Sequence, residues 1–256
     1  MPAFRAMTFN VRQMDGDDGA HSWPFRRQAL VHTLRQCRPT VLGTQETWAE
    51  QAAYIREHLP DLGSFGRGRY GDDRDKHNTV FFDRHRLTLR ASGERWFSAT
   101  PEVPGSRAWG IPSPRMVTWG LLEWREGGLL LVLNTHFPYH SGGEEARRQS
   151  ARLVRETLAD HPSDVPALLL GDFNALPNGE VYDLLTQDLT DTWVEAEHRT
   201  GPEGTVHGFG RWDGPRIDWI LHRNCGRVTR TEIVTATFDG LYPSDHYPVY
   251  ADFNDE

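Results

Sequence analysis

The chain has 256 residues, and its 36 acidic and 28 basic side chains give it a formal net charge of −8 at pH 7. It lacks a Lys/Arg-rich run of the kind that releases counterions from nucleic acid, which disfavours long duplex DNA as a partner. No apolar stretch approaches the ~18 residues of a membrane span and no secretory signal is visible, so we expect a cytoplasmic protein with no membrane partner.

Helices are predicted where capping residues and helix breakers frame a suitable run. Ser22 is a good N-cap, and Pro24 suits the first turn of a helix that continues to about Arg38 and stops at Pro39. The other helices are predicted at Ala49–His58, from near Glu144 to before Pro162, and at Glu180–Leu185.

Strands are predicted in much of the remaining chain, as apolar or alternating runs bounded by turn residues. Short turns such as Arg125-Glu126-Gly127-Gly128 favour hairpins and antiparallel pairing. The predicted strands are Ala3–Val11, Val41–Gln45, Asn78–Phe82, Leu87–Phe97, Met116–Trp124, Leu129–Thr135, Ala167–Gly171, Ile217–Leu221, Arg227–Val234 and Tyr247–Phe253.

Cysteines and basic clusters give no separate sign of a metal or nucleic-acid site. Cys37 and Cys225 form no CxxC pair, and we interpret both as ordinary thiols in a reducing compartment, while a disulfide between them stays open. We interpret the densest basic clusters as solvated faces, and these are Arg26-Arg27, Arg67 with Arg69, and Arg147-Arg148.

Polar side chains repeatedly end or interrupt the apolar runs. They occur in Phe9-Asn10-Val11, Thr44-Gln45-Glu46, Asn134-Thr135-His136, Gly171-Asp172-Phe173-Asn174, Arg216-Ile217-Asp218 and Ser244-Asp245-His246. A single case has a simple structural explanation, such as a turn at a strand end or a hydrogen-bonded core aspartate. Six segments that all carry Asp, Glu, Asn or His favour one shared cleft, because burying so many polar groups unpaired costs free energy.

This series resembles, in order and in residue type, the endonuclease/exonuclease/phosphatase superfamily, which includes DNase I-like nucleases, abasic-site endonucleases, neutral sphingomyelinases and inositol-polyphosphate phosphatases. The combination of the Gly171–Asn174 and Ser244–His246 segments is specific, and the motifs extend from Asn10 to His246. Residues 100–115 and 201–209 are similar to a bacterial branch of single-domain members, of which some relatives act on small phosphorylated sugars.

The resemblance implies one α/β (α+β) domain over residues 1–256. Its expected architecture is a four-layer, DNase I-like sandwich in which two mostly antiparallel β-sheets pack face to face and are flanked by helices. The resemblance also implies a hydrolase of phosphate esters that uses one or two Mg²⁺ or Mn²⁺ ions.

The same resemblance implies which residues bind the metal and which residue acts on the attacking water. Glu46 and Asp245, helped by Asn10, are the expected metal ligands, and hard cations of this kind select oxygen donors. Asp172 is expected either to orient or deprotonate the attacking water or to ligate a second metal. Asn174 is expected to hydrogen-bond the phosphoryl oxygens.

Two histidines complete the expected catalytic set. His246 is expected to contact the phosphate, with Asp218 fixing its tautomer. His136 is expected either to bind phosphate or to protonate the leaving oxygen. Arg115 is either a phosphate clamp or part of a structural ion pair. Some nucleases of the superfamily have an acidic residue where this chain has Arg12, which weakens the case for a nuclease with that extra metal ligand.

Three loops that carry aromatic residues are predicted beside the acidic site, at residues 98–114, 137–143 and 195–215. A loop as long as residues 98–114 in a compact domain is usually functional or disordered. One aromatic residue is more often packed beneath its loop, whereas three such loops favour a pocket for a sugar or a base. Trp109, Arg115 and His207 are the candidate substrate-binding residues.

The favoured function is metal-assisted, in-line hydrolysis of a phosphate ester of a small substrate, either a sugar phosphate or a nucleotide. The alternative is a nuclease or phosphodiesterase whose partner is short or single-stranded DNA or RNA. A sphingomyelinase-like role is disfavoured because no membrane-docking hairpin is evident. A scaffold without catalysis is disfavoured because every catalytic side-chain type is present. The sequence indicates no obligate protein partner.

Overall fold

Two β-sheets organise the computed structural model, which describes residues 1–140 and 142–254. The strands are β1 (Phe4–Asn10), β2 (Val41–Gln45), β3 (Leu62–Phe65), β4 (Val80–Asp83), β5 (Leu87–Trp96), β6 (Met116–Trp124), β7 (Leu129–His136), β8 (Ala167–Asp172), β9 (Thr190–Asp191), β10 (His198–Thr200), β11 (Asp218–Arg223), β12 (Arg227–Ile233) and β13 (Val249–Asn254). The helices are α1 (Trp23–Cys37), α2 (Ala49–His58), α3 (Glu144–Ala159), α4 (Glu180–Leu185) and α5 (Thr192–Glu195), preceded by one 3-10 turn at Gly19–His21.

The first sheet has the strand order β10-β12-β13-β1-β2-β4-β3, and the second has the order β5-β6-β7-β8-β11-β9. Most neighbours are antiparallel, whereas β1 with β2, β7 with β8, and β10 with β12 are parallel. The predicted fold class is therefore confirmed. The parallel pairs matter for function, because they bring the carboxyl ends of β1 and β2, and of β7 and β8, to common edges.

Side chains point alternately to the two faces of each strand, and this alternation produces the layers of the sandwich. In β7, Leu130 and Val132 pack into the core between the sheets, while Leu131 and Leu133 pack into a second core beneath α3. The side chains of a strand point alternately to its two faces, so a continuous apolar run serves two cores at once. The first sheet likewise shares its outer core with α1 and α2. The result is a sandwich of helix, sheet, sheet and helix.

A polar contact links the two sheets in the middle of this apolar core. Asn134 of β7 accepts a hydrogen bond from Gln45 Nε2 at 2.7 Å and donates to the carbonyl oxygens of Thr44 and Thr79. Asn134 and Gln45 are both fully buried. Gly43 permits the approach, since a Cβ there would lie 2.8 Å from Asn134 Oδ1. Asn134, which belongs to one of the polar segments, is therefore a structural residue.

The predicted elements agree well with the observed ones, with informative differences. The four predicted helices are present, but the Ser22 side chain makes no capping hydrogen bond to α1. Strand β3 was not predicted, because Gly63 and Ser64 lack strand propensity. Gly63 faces the ring of Phe82 across the strand pair, leaving no room for a Cβ. Both cysteines are buried free thiols.

Among the described residues, no helix is both long enough and apolar enough to cross a membrane.

Candidate active site

A cleft of about 400 Å³ opens at one end of the sandwich, where strands of both sheets terminate. It is lined by Asn10, Arg12, Gln13, Glu46, Lys76, Arg115, His136, Tyr139, Asp172, Asn174, Asp245 and His246. All three predicted metal ligands and four of the five predicted catalytic residues are in this set. The fifth, Asp218, lies directly behind His246.

Sheet register places three of these side chains next to one another. His136 is the last residue of β7 and pairs with Asp172, the last residue of β8. Asp172 in turn pairs with Asp218, the first residue of the antiparallel strand β11. The adjacent positions on neighbouring strands bring two carboxylates and an imidazole together at the sheet edge.

Asp172 is the centre of this group. Its Oδ2 accepts a hydrogen bond from Asn10 Nδ2 at 2.9 Å, and its Oδ1 accepts one from the backbone N–H of Asn174 at 3.0 Å. His136 Nε2 lies 3.4 Å from Asp172 Oδ2. Burial and the nearby negative charge of Asp218 raise the pKa of Asp172 to about 7. The carboxyl group can therefore exchange a proton near neutral pH.

His246 and Asp218 form a buried hydrogen-bonded pair. His246 Nδ1 lies 2.9 Å from Asp218 Oδ2, which leaves Nε2 free to face the cleft. Burial alone would lower the pKa of His246, but the charge of Asp218 and its hydrogen bond outweigh burial and raise that pKa to about 10. The imidazole is consequently a cation at neutral pH.

His136 has the opposite electrostatic environment. Burial, followed by the positive charges of Arg115 and Arg69, lowers the pKa of His136 well below its ordinary value. The ring is 2% exposed, and its Nδ1 has no hydrogen-bond partner in the described chain. His136 is therefore neutral at physiological pH, whereas His246 is charged.

Carboxylates line the other side of the cleft. Glu46 follows the end of β2 with a left-handed φ of 59°, and its Oε2 accepts the backbone N–H of Gln13 at 3.1 Å. Burial would raise the pKa of Glu46, but the positive charges of Lys76, Arg115 and Arg69 lower it. Asn174 also has a positive φ, of 46°. Unfavourable backbone conformations of this kind concentrate at functional sites.

Two groups of side chains in this region have oxygen or nitrogen donors suited to a cation. Ligand atoms of Asp172, Asp218 and His246 all lie within 4.8 Å of one another, but His246 is already committed to its hydrogen bond with Asp218. Glu46 and Asp245 are half-buried carboxylates at the cleft wall. Their all-oxygen chemistry, with that of Asn10, fits a hard divalent ion better.

A buried arginine fixes the backbone next to two of the candidate ligands, Asn10 and Asp245. Arg26 of α1 is fully buried and donates to the carbonyl oxygens of Val11, Arg12, Gln13 and Pro243. The hydroxyl of Ser244 also donates to the carbonyl oxygen of Asn10, at 2.6 Å. Residues far apart in the sequence are thereby held at the same cleft edge.

Arg12 occupies the position at which some nucleases carry an acidic ligand. Its guanidinium binds Asp18 at 2.8 Å and lies 3.7 Å from Asp245 Oδ2. This position therefore carries a positive charge, whereas an additional acidic metal ligand would carry a negative one.

The predicted substrate-binding residues do not all meet at the cleft. Arg115 lines it and makes no ion pair in the described chain. Trp109 packs against the core beneath α3, and His207 is buried against the ring of Tyr247, with centroids 3.8 Å apart. His207 also accepts the Gly210 N–H through Nδ1, so it supports the loop next to Asp245. Neither of these two side chains lines the cleft.

Several cleft residues were not predicted from the sequence, and some arginines were predicted in the wrong environment. Gln13, Lys76 and Tyr139 line the cleft, and no local pattern marks Gln13 or Lys76. The solvated-face interpretation of the basic clusters was wrong for one member of each, because the buried arginines include Arg26, Arg69 and Arg147. Adjacent residues of a helix project in different directions, so Arg26 and Arg147 point to the interior while their neighbours Arg27 and Arg148 do not.

The chain is similar to known proteins in both sequence and fold. The sequence matches the model of the Endonuclease/Exonuclease/phosphatase family over residues 7–246. A search of the curated proteins gave no match. Among solved structures, an endonuclease/exonuclease/phosphatase from Bacteroides vulgatus is 28% identical, with 100% of both chains covered and a TM-score of 0.94.

Two further structures show how widely the fold is shared. A mannosyl-6-phosphatase from Bacteroides thetaiotaomicron is 28% identical, with 97% of this chain and 98% of that chain covered and a TM-score of 0.91. The catalytic domain of human Nocturnin is 20% identical, with 98% and 94% covered and a TM-score of 0.77, and shares the fold. From the family match over residues 7–246, the chain belongs to the endonuclease/exonuclease/phosphatase family.

Proposed function

We propose that the protein is a divalent-metal-dependent phosphoesterase that hydrolyses a phosphate ester of a small substrate, such as a sugar phosphate or a nucleotide. One arrangement carries this proposal: Glu46 and Asp245 face the same cleft as Asp172 and the His246 that is paired with Asp218. Membership of the family supports hydrolysis of a phosphate ester. The 28% identical mannosyl-6-phosphatase supports a small phosphorylated substrate.

The size and charge of the cleft support a small substrate. Its volume of about 400 Å³ lies in the range typical of small-molecule sites. Tyr139 at its wall is 70% exposed, so its ring is available to stack on a sugar or base. A net charge of −8 does not favour attraction of a long polyanion.

Glu46, Asp245 and Asn10 would hold the Mg²⁺ or Mn²⁺ ion. Such an ion, when bound, polarises a phosphoryl oxygen and offsets its negative charge. Gln13 supports the ligand set by donating its backbone N–H to Glu46, while Ser244, whose hydroxyl donates to the Asn10 carbonyl oxygen, holds the segment that carries Asp245 beside Asn10.

Asp172 is the proposed acceptor of the proton of the attacking water. Hydrogen bonds from Asn10 and Asn174 fix the orientation of its carboxylate. A pKa of about 7 suits a general base that works near neutral pH. Asn174 would direct its remaining hydrogen-bonding capacity toward the phosphoryl oxygens.

The two histidines would play different parts, which follow from their charges. His246 is the cation and would stabilise the negative charge that develops on the phosphoryl group. His136 is neutral because of burial and its cationic neighbours. This favours phosphate binding by His136 over protonation of the leaving oxygen.

The test is hydrolysis by purified protein that has been stripped with EDTA and then supplied with Mg²⁺ or Mn²⁺. The substrates are sugar phosphates, nucleotides, and short single- and double-stranded oligonucleotides. We expect metal-dependent release of inorganic phosphate from a small substrate. His246→Ala and Asp172→Asn should each reduce turnover by about 10²- to 10⁴-fold or more.

Asp188→Asn is the matched control, because Asp188 is a partly exposed acid that pairs with Arg155 outside the cleft. Circular dichroism should show that all three variants are folded. Shortening of oligonucleotides with sugar phosphates left intact would instead identify a nuclease. Near-wild-type turnover of His246→Ala would refute the assigned site.

A further inference from the structure

Three cations form a wall along one side of the cleft, and we call Arg69, Lys76 and Arg115 the cationic wall. Lys76 and Arg115 line the cleft directly. Arg69 lies close enough to both Arg115 and Glu46 to change the pKa of each. The Arg69 backbone N–H also donates to the carbonyl oxygen of Lys76, which fixes the two residues relative to each other.

The wall has no counterion. Within residues 1–140 and 142–254, no carboxylate oxygen lies within 4.0 Å of the charged group of Arg69, Lys76 or Arg115. The guanidinium of Arg115 makes one long hydrogen bond, 3.4 Å to the carbonyl oxygen of His136. Arg69 and Arg115 are each only 5% exposed, so few water molecules can reach their charged groups.

Other buried arginines of the chain provide the comparison. Arg26 donates to four carbonyl oxygens, Arg147 bonds to Pro138 and Glu144, and Arg216 pairs with Asp191 at 2.8 Å. A buried charge without a partner is costly. Each of these three arginines has carbonyl or carboxylate partners, whereas Arg69 and Arg115 have no carboxylate partner in the described residues, which indicates that an anion from outside supplies the missing contacts.

Glu46 does not fill this role. Glu46 and Asp75 are the negative charges that act on both Lys76 and Arg69, yet neither forms an ion pair with them in the described residues, and the proposed function assigns the oxygens of Glu46 to the metal. Lys76 and Arg115 therefore face the cleft in which a phosphoryl group would lie, with a guanidinium fork and an ammonium suited to phosphate oxygens.

We propose that the cationic wall binds the dianionic terminal phosphoryl group of the substrate and makes the enzyme selective for phosphomonoesters over phosphodiesters. This inference rests on the proposed function and narrows its substrate class. A monoester offers three non-bridging oxygens and two negative charges. A diester offers two such oxygens and one charge, so it leaves part of the wall without a partner.

The experiment compares p-nitrophenyl phosphate with bis(p-nitrophenyl) phosphate in the metal-loaded enzyme, and measures inhibition by inorganic phosphate. We expect the wild type to prefer the monoester. Lys76→Met and Arg115→Lys should lower kcat/KM for the monoester roughly ten- to hundredfold. They should weaken phosphate inhibition by a similar factor and change diester turnover little. Lys76→Arg should restore much of the loss.

Arg155→Met is the matched control, since it also removes one cation but lies outside the cleft in an ion pair with Asp188. This variant should leave kcat/KM for both esters and the inhibition by phosphate unchanged. Equal losses on monoester and diester, or a wild type that prefers the diester, would overturn the inference while leaving a phosphoesterase. If neither ester is cleaved and no sugar phosphate or nucleotide releases phosphate, the proposed function fails. Direct titration with inorganic phosphate then tests whether the cationic wall binds phosphate, because an unchanged phosphate affinity in Lys76→Met would refute that role.

Discussion

At the scale of single residues, the site separates two histidines by their surroundings. His246 is paired with Asp218, and His136 is placed beside Arg115 and Arg69. Both rings are buried, so the difference in charge comes from their neighbours and not from exposure to solvent. The end of β7 and the segment before β13 thus supply a neutral and a cationic imidazole within one cleft.

Asp218→Asn tests the source of the charge on His246. Removal of the carboxylate charge leaves burial as the main influence, so the pKa of His246 should fall from about 10 toward or below its ordinary value. The histidine ring signals in NMR titrations report this directly. Turnover should fall by about 10²- to 10⁴-fold. An unchanged His246 titration would contradict the role of Asp218.

The raised pKa of Asp172 predicts how kcat depends on pH. A carboxyl group whose pKa is raised to about 7 is protonated below that pH and cannot accept a proton from water. The value of kcat should therefore rise as the pH increases through about 7 and then level off. Saturating substrate removes the titration of the free substrate. A flat profile from acid to neutral pH would exclude Asp172 as the base, and Asp188→Asn should keep the wild-type profile.

At the scale of elements, the sequence predicted helices better than it predicted side-chain environments. Turn and capping signals are local, which is why α2 and α4 agree with their predicted ranges. The burial of Arg26 depends on a carbonyl oxygen 217 residues away, and no local pattern contains that information. Likewise, nothing near Lys76 indicates that it faces Glu46. The motif residues were recognised by resemblance, whereas the cationic wall required the fold.

The link between β7 and β2 provides a prediction for the sandwich itself. Asn134→Leu removes the bonds to Gln45, Thr44 and Thr79 and leaves buried polar groups unpaired. We expect a loss of about 3 kcal/mol or more in the free energy of unfolding, measured by urea denaturation. Gln187→Ala, at an exposed position, should change it by less than about 0.5 kcal/mol. A small effect at Asn134 would contradict the structural role of this contact.

At the scale of the whole molecule, the cleft joins parts of both sheets, so its ligands act on the stability of the entire fold. A cation that binds the native state through Glu46 and Asp245 should raise the melting temperature. At a concentration of 100 times Kd the gain is about 2.7 kcal/mol, or roughly 5–10 °C for a chain of this size. Differential scanning fluorimetry of stripped protein with added Mn²⁺ measures it.

Glu46→Gln is the informative variant for that measurement, because it removes a ligand charge and keeps the shape of the side chain. Its melting temperature should respond little to Mn²⁺, whereas Asp188→Asn should respond like the wild type. A full response in Glu46→Gln would place the ion elsewhere, with the Asp172, Asp218 and His246 group as the other candidate.

Strand β13 lies between β1 and β12, so the segment that carries Asp245 and His246 reaches Asn10 only when this strand is in place. A nascent chain that has left the ribosome only as far as β12 has Asn10, Glu46 and Asp172, but neither Asp245 nor His246. Such a chain has part of the cleft and no complete catalytic set. Under the proposed function, the hydrolase would therefore become active only after β13 docks, and a chain still in synthesis would have no turnover.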